Sequence, residues 1–312
     1  MKCLITGAAG FIGSHLTDRF VAEGHSVVGI DNFSTGNPRN IEHLKNESQF
    51  TFIEHDISQS LPSFDRVDCI LHFASPASPP KYQEKPVETM LVNGMGTYYL
   101  LEYARAHQSR FLFASTSEIY GDPQVHPQVE DYWGNVNSIG PRSCYDEAKR
   151  FGEALTYTYI RKYEVDGRLV RIFNTYGPRM DINDGRVVTN FIKQVLHNEP
   201  LTIYGDGSQT RSFCYVSDLV DIIYKIASVE SLTTDRVFNI GNPDEMTVTE
   251  LAQMVAKIAH VSVTVKNQPL PEDDPVRRKP DITRVRQQFS WQPQVQLSEG
   301  LEKTLSYFKN LS

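Results

Sequence analysis

Lys2-Cys3-Leu4-Ile5-Thr6-Gly7-Ala8-Ala9-Gly10-Phe11-Ile12-Gly13 opens the chain with a short apolar run that passes into glycines spaced three apart. The run has strand character, and an amphipathic stretch follows to about Glu23, which predicts strand, glycine turn and helix in immediate succession. Gly7 and Gly10 let the backbone turn tightly and approach a pyrophosphate, which would rest on free N–H groups at the positive end of the helix dipole. Gly13 lets the helix pack close to the sheet. The spacing G-x-x-G-x-x-G differs from the common G-x-G-x-x-G and carries little alone, so its context decides. Ser26 to Ile30 is a second strand, and Asp31 follows at the distance where a carboxylate can bind ribose hydroxyls. A carboxylate there repels a 2′-phosphate and favours NAD over NADP, although Arg39, a few residues on, argues the other way.

Moving outward, the alternation persists. Residues 51–55 and 67–74 read as buried strands, and Phe111–Ala114 and Arg168–Phe173 as two more. Asp56 and Ile57 stand where a loop could meet an adenine. Ser75-Pro76-Ala77-Ser78-Pro79-Pro80 is a rigid loop at a strand's carboxyl end, where open parallel sheets hold ligands, or else a plain proline-rich connection. Val87 to His107 predicts one long helix, apolar on more than one face, that would pack against a partner helix or subunit. Beyond Phe173 the pattern loosens into a polar loop (Asp181–Arg186), a helix (Val187–Leu196), and a strand and turn (Leu201–Arg211). A helix over Ser217–Ala227 starting at a serine cap, a strand over Val237–Gly241 and an amphipathic helix over Val248–His260 follow. The expected fold is α/β: a doubly wound parallel sheet (Rossmann-like) over residues 1–175, with 213–241 returning to it, and a smaller C-terminal substrate-binding domain over 176–312.

The totals bound the function. At 312 residues, 40% hydrophobic and 22% charged, the chain can bury one large core or two. A net charge of −7 and the lack of a long Lys/Arg run argue against nucleic acid or an acidic membrane surface as the main partner. Cys3, Cys69, Cys144 and Cys214 are widely spaced without a C-x-x-C, which reads as reduced packing residues in a cytoplasmic protein. Cys144 has no nearby histidine to activate it. No apolar stretch reaches roughly 18 residues and no basic-then-apolar leader opens the chain, so no membrane anchor is expected. No metal is expected either.

Cys144-Tyr145-Asp146-Glu147-Ala148-Lys149-Arg150 places a phenol and an ammonium four residues apart, on one face of a predicted helix. A neighbouring cation would favour phenolate, drawing the tyrosine down from about 10 and making Tyr145 a candidate general base. Alone, the spacing more often marks an ordinary amphipathic helix with an exposed lysine; a preceding nucleotide site gives it meaning. Ser115-Thr116-Ser117-Glu118 ends a strand and adds hydroxyls beside the phenol and lysine, completing a donor set around a carbinol. Asp273-Asp274-Pro275-Val276-Arg277-Arg278-Lys279-Pro280 reads as a solvated charge run.

T-G-A-A-G-F-I-G at 6–13, S-T-S-E at 115–118 and Y-D-E-A-K at 145–149, in that order, resemble the extended short-chain dehydrogenase/reductase superfamily. A-S-P-A-S-P-P (74–80), A-S-T-S-E-I-Y-G-D-P (114–123), R-I-F-N-T-Y-G-P-R-M (171–180), N-D-G-R-V-V (183–188), G-S-Q-T-R-S-F (207–213) and R-R-K-P-D (277–281) are similar to the UDP-glucuronate decarboxylase (UDP-xylose synthase) family, over nearly the whole chain. The resemblance implies decarboxylation of UDP-glucuronate to UDP-xylose with a retained NAD. Oxidation at carbon 4 creates a ketone β to the carboxylate, CO2 loss then leaves an enolate rather than a bare carbanion, and the hydride returns to carbon 4. The net reaction is that of a lyase.

By the same resemblance Thr116, Tyr145 and Lys149 do the redox work, Ser117 and Glu118 lie near the decarboxylating carbon, and Arg278 meets the sugar carboxylate. Glu118 would offset that grip by repelling the carboxylate. Around NAD it implies Gly7, Gly10, Phe11, Ile12, Gly13, Asp31, Asn32, Asp56, Ile57 and Ala74, with Tyr145 and Lys149. Around the nucleotide sugar it implies Ser78, Tyr82, Asn174, Arg186, Val188, Tyr204, Gln209, Arg211 and Arg277, Asn174 being at the diphosphate. It also implies a homodimer, through the helix from Val87 and the Tyr145 helix. Other NAD-retaining relatives remain as alternatives: 4,6-dehydratases typically carry Asp at the position of Ser117, and 4-epimerases lack the R-R-K-P-D run. A nucleotide-sensing binding protein would not need Thr116, Tyr145 and Lys149.

Overall fold

β1 (Lys2–Thr6) is buried from Cys3 onward and enters the glycine turn, after which α1 (Phe11–Ala22) crosses back to β2 (Ser26–Asp31). Gly7 takes φ +73°, and a Cβ there would meet the Phe73 and Ala74 backbone at 2.8 Å, so only glycine turns the chain this close to its neighbour. The structure, a computed structural model, describes residues 1–311 apart from Thr233, Thr234, Val263, Asp274 and Val276. The chain continues through β3 (Phe50–Glu54), β4 (Cys69–His72), α2 (Pro79–Glu84), α3 (Pro86–Leu91), a π-helical turn over Val92–Gly96, α4 (Thr97–His107), β5 (Arg110–Thr116), α5 (Ser143–Tyr163) and β6 (Gly167–Ile172). Then come β7 (Thr175–Tyr176), α6 (Val187–Leu196), β8 (Leu201–Tyr204), β9 (Thr210–Ser212), β10 (Cys214–Tyr215), α7 (Val216–Ser228), β11 (Val237–Ile240), β12 (Glu245–Thr247), α8 (Val248–Ala259), β13 (Val265–Gln268), β14 (Arg277–Arg278), α9 (Thr283–Phe289) and α10 (Leu297–Lys309).

Seven strands form one parallel sheet in the order β11-β6-β5-β4-β1-β2-β3. Strand order reverses between β1 and β4, which opens a crevice at their carboxyl ends. Both faces are buried, and the period of two along β1 divides its side chains between them. Cys3 and Ile5 join Leu16 and Phe20 of α1 and Leu219, Ile222 and Ile223 of α7; Leu4 joins Leu100 and Leu101 of α4, Phe111 and Phe113 of β5, and Tyr159 of α5. The small sheet β12-β9-β14 and the pair β13-β8 hold the later segments on the crevice side.

Three local expectations differ from the structure. The strand at 51–55 is the sheet's outer edge and half-exposed, because no strand among the described residues pairs beyond it. The single helix over Val87–His107 is instead α3 and α4 joined by the π turn, where Asn93 Nδ2 donates to Thr89 O and to Ser75 Oγ, both at 2.8 Å. Ser217 is not a cap, since α7 begins at Val216 and its first-turn Asp218 instead accepts the Gln294 and Val295 amides. Among the described residues no helix is long and apolar enough to cross a membrane.

Candidate active site

A cleft of about 1020 Å³ lies at the carboxyl ends of the central strands. Gly7, Gly10, Phe11, Ile12 and Gly13 line one wall, Thr116, Ser117, Glu118, Tyr145 and Lys149 its middle, and Ser78, Asn174, Arg186, Val188, Tyr204, Gln209, Arg211 and Arg278 the far side. A Cβ on Gly13 would collide with the Gly7 carbonyl, so the first turn of α1 can come against the turn only as glycine. That leaves a cradle of backbone amides suited to a pyrophosphate. Asp31, buried beneath this turn, accepts the Ala9 amide at 3.0 Å and the Phe33 amide at 2.8 Å and lies against Gly36 of the cleft wall. Burial pushes its carboxyl up, and those amides pull it back.

Other predicted contacts do not line the cleft. Asn32 accepts the Ser34 amide, Asp56 accepts the Ser58 amide and hydroxyl, Ile57 is in the core, and the Ala74 amide donates to Thr6. Tyr82 is fully buried behind Tyr145, its ring stacked on the catalytic candidate at 4.9 Å and 4°, and its hydroxyl has no hydrogen-bond partner among the described residues. It is a plate supporting Tyr145, not a wall of the cleft. In β14 consecutive residues point to opposite faces: Arg278 is buried in the cleft wall and Arg277 is exposed outside it. The run 273–280 is therefore not simply a solvated one, because pairing of β14 with β9 sets Arg278 opposite Arg211. Asp274 and Val276 of that run lie outside the described residues.

α5 starts beneath the end of β5, so its first turns carry Tyr145 and Lys149 past Thr116. Lys149 Nζ donates to Ala114 O at 2.8 Å and stands 5.7 Å from the Tyr145 ring centre. Burial holds its ammonium down to about 7. The Tyr145 phenol moves the opposite way from the sequence expectation: burial raises it, Glu118 raises it further, and a hydrogen bond with Thr116 pulls it down. In the buried site, desolvation of a phenolate outweighs any help from Lys149.

Glu118 is the centre of a charge cluster. Arg142 Nη2 donates to its Oε2 at 2.5 Å and Arg278 Nη1 to its Oε1 at 3.0 Å. Burial works to raise this carboxyl, but Arg142 and then Arg278 hold it at about 2. Glu118 is thus neutralised by the arginines and does not stand as a bare repelling charge. Asp146, the residue after Tyr145, is buried against the same cluster, and burial followed by Glu118 pushes its carboxyl to about 8. Two guanidiniums face the Glu118 carboxylate, and burial disfavours a charge on Asp146, so the cluster is suited to an incoming carboxylate. Sequence reasoning missed Arg142 and Asp146; their only signal was position, three residues before and one after Tyr145.

Residues 4–304 match the family described as GDP-mannose 4,6 dehydratase. The chain is 50% identical to UDP-glucuronic acid decarboxylase 1 of Danio rerio, over 98% of this chain and 72% of that protein. It is 49% identical to UDP-glucuronic acid decarboxylase 1 of Arabidopsis thaliana, over 99% of this chain and 70% of the relative. Among solved structures, the UDP-glucuronic acid 4-epimerase of Bacillus cereus, in complex with UDP-glucuronic acid and NAD, superposes with a TM-score of 0.89 at 31% identity, covering 100% of each chain. With the glycine turn, the Tyr145–Lys149 helix and the Glu118–Arg278 pair meeting in one cleft, the chain belongs to the GDP-mannose 4,6 dehydratase family of the extended short-chain dehydrogenases/reductases and, within it, to the UDP-glucuronic acid decarboxylases.

Proposed function

We propose that the protein is an NAD-dependent UDP-glucuronate decarboxylase producing UDP-xylose and CO2. One observation carries this reading above all: two guanidiniums, Arg142 and Arg278, paired with the single carboxylate of Glu118, open into the same cleft as Tyr145, Lys149 and Thr116. NAD would be held by Gly7, Gly10, Phe11, Ile12 and Gly13, with Asp31 at a ribose and Asn32, Asp56, Ile57 and Ala74 behind it. Bound there, it supplies the reversible redox couple for carbon 4. Ser78, Asn174, Arg186, Val188, Tyr204, Gln209 and Arg211 would take the diphosphate and nucleoside.

In its phenolate form Tyr145 accepts the carbon-4 hydroxyl proton during oxidation, with Thr116 holding the oxygen in line. Arg278, shared between Glu118 and the incoming carboxylate, orients that group so that its bond to carbon 5 stands across from the new ketone. CO2 leaves with the bond electrons delivered into the enolate, whose oxygen the Tyr145 phenol then hydrogen-bonds. Carbon 5 takes a proton from solvent and Tyr145 returns its own to the carbon-4 oxygen when carbon 4 is reduced, so the cycle ends with the phenolate and cofactor as they began.

A second reading is a 4-epimerase on the same substrate, favoured by the likeness to the Bacillus cereus enzyme. Incubation with UDP-glucuronate, followed by mass and NMR identification of the product, separates them. A UDP-pentose with CO2 is expected; a UDP-hexuronate epimer would replace the decarboxylase reading, and no turnover would leave a binding protein.

This reading includes a division into a dinucleotide-binding region (1–175, with 213–241) and a nucleotide-sugar region (176–312). It also includes a homodimer and a cytoplasmic location. The exposed Met90, Leu91, Met95 and Tyr98 of the α3–α4 run, beside Phe151 of α5 at 54% exposure, support the dimer. Free cysteines and the net charge of −7 support the location and the absence of nucleic-acid or membrane partners.

A further inference from the structure

Behind the cleft, a chain of polar side chains, half-buried at Glu153 and buried beyond it, runs from α5 to the segment that carries Arg278. Glu153, one turn beyond Lys149, accepts the Ser115 hydroxyl at 2.5 Å and two Arg171 N–H groups at 2.9 and 2.8 Å. Arg171 Nη1 donates to the Tyr120 hydroxyl at 2.9 Å, which donates to Asn239 Oδ1 at 2.7 Å. Asn239 Nδ2 donates to Gln128 O at 2.9 Å. The chain ends on Gln128, whose side chain is 0% exposed: its Nε2 donates to Val125 O at 2.9 Å and its Oε1 accepts the Lys279 amide at 2.8 Å. The Gln128 backbone adds an amide to Lys279 O at 2.9 Å and accepts the Asp281 amide at 2.8 Å.

Gln128 therefore grips Lys279, the residue immediately after Arg278, through two hydrogen bonds and Asp281 through a third, while β9 holds Arg278 from the other edge. A two-residue strand is too short to hold a guanidinium in place by its own ladder. We propose that Gln128 is the positioning residue for Arg278, and that the polar chain from Gln128 to Glu153 fixes the distance between the arginine meeting the sugar carboxylate and the residues oxidising carbon 4. A network satisfied at every member is rigid, and it leaves the two halves of the reaction only one relative placement. The inference rests on the reading of Arg278 as the carboxylate's partner.

The test compares wild type, Gln128→Met, Gln128→Glu and Arg278→Ala by single-turnover NADH absorbance and CO2 release. Hydrogen exchange is followed at residues 277–281. Gln128→Met keeps the side-chain length and loses both hydrogen bonds, of which one reaches Lys279; it is expected to slow CO2 release about tenfold more than NADH formation, as fits loss of that one buried hydrogen bond, with faster exchange at 277–281. Gln128→Glu keeps the acceptor for the Lys279 amide and should close most of the gap. Parallel loss of the two steps in Gln128→Met, unchanged exchange at 277–281, or no recovery in Gln128→Glu overturns the role of Gln128. If Arg278→Ala shows no gap, the reading of Arg278 fails and takes the inference with it; a gap there and none in Gln128→Met sinks the inference alone. Should Gln128→Met not fold, Tyr120→Phe, which removes only the hydroxyl joining Arg171 to Asn239, is read by the same two outcomes.

Discussion

Tyr145 is held on both sides before any substrate arrives: its ring lies flat on Tyr82, and its hydroxyl is hydrogen-bonded with Thr116. Tyr145→Phe keeps the stacked ring and removes only the proton acceptor. Turnover is expected to fall about 10²- to 10⁴-fold, with NAD and UDP affinities by calorimetry nearly unchanged; near-normal turnover would remove Tyr145 from the role of base. Glu118→Gln and Arg278→Ala act on the other half of the site. Each is expected to slow pentose formation more than the first oxidation, so that NADH builds up transiently in single-turnover absorbance. If both variants lose oxidation and CO2 release together, the pair serves binding instead. Tyr145, Lys149 and Thr116 were legible because their spacing along one helix and one strand end is local. Arg142 was not, because its pairing with Glu118 spans 24 residues of chain and leaves no periodic trace.

At the scale of elements, the β–α alternation was readable because each strand is a short apolar run bounded by turn residues, and a fully buried strand needs no more than that. Boundaries set by tertiary contacts were not. The π turn in the predicted helix from Val87 depends on Asn93 reaching Ser75, a residue from another segment. The exposed apolar row along that broken helix, at Met90, Leu91, Met95 and Tyr98, adjoins Phe151 of α5, since Gly94 of the π turn lies against the Phe151 ring. A second copy of the chain meeting this face would bury it. Phe151→Glu is then expected to shift sedimentation at micromolar concentration toward monomer. Loss of one large apolar contact of about 1.5–3 kcal/mol raises the dissociation constant roughly tenfold to a hundredfold for each copy. A wild type that is already monomeric, or a variant that sediments unchanged, removes this face from the interface.

For the whole molecule, the same buried charges that tune the site should set how stability follows pH. Glu118, held at about 2 by its arginines against burial, contributes stability present above its unfolded value of about 4.3 and lost as pH falls toward 2. Lys149, held down to about 7, disfavours the fold below that pH, and this cost fades between 7 and its unfolded value of about 10.4. Asp146 runs opposite to Glu118. Its carboxyl is raised to about 8 by burial and by Glu118, so between its unfolded value of about 3.9 and 8 the native chain keeps a proton that the unfolded chain has released. Stability from this group is full below that window and declines as pH rises through it. Across pH 5 to 7 neither Glu118 nor Lys149 changes its proton count between the two states by much, so Asp146 should dominate among the three. Asp146→Asn substitutes a neutral amide for the protonated acid and removes the titration. The melting temperature of wild type, measured against Asp146→Asn by calorimetry at pH 5, 6, 7 and 8, is expected to fall relative to the variant at each step up to about pH 8 and then level off. A difference between the two proteins that stays constant from pH 5 to 8 would mean that Asp146 is ionised in the native site, and that the cluster receives its substrate without a net positive charge.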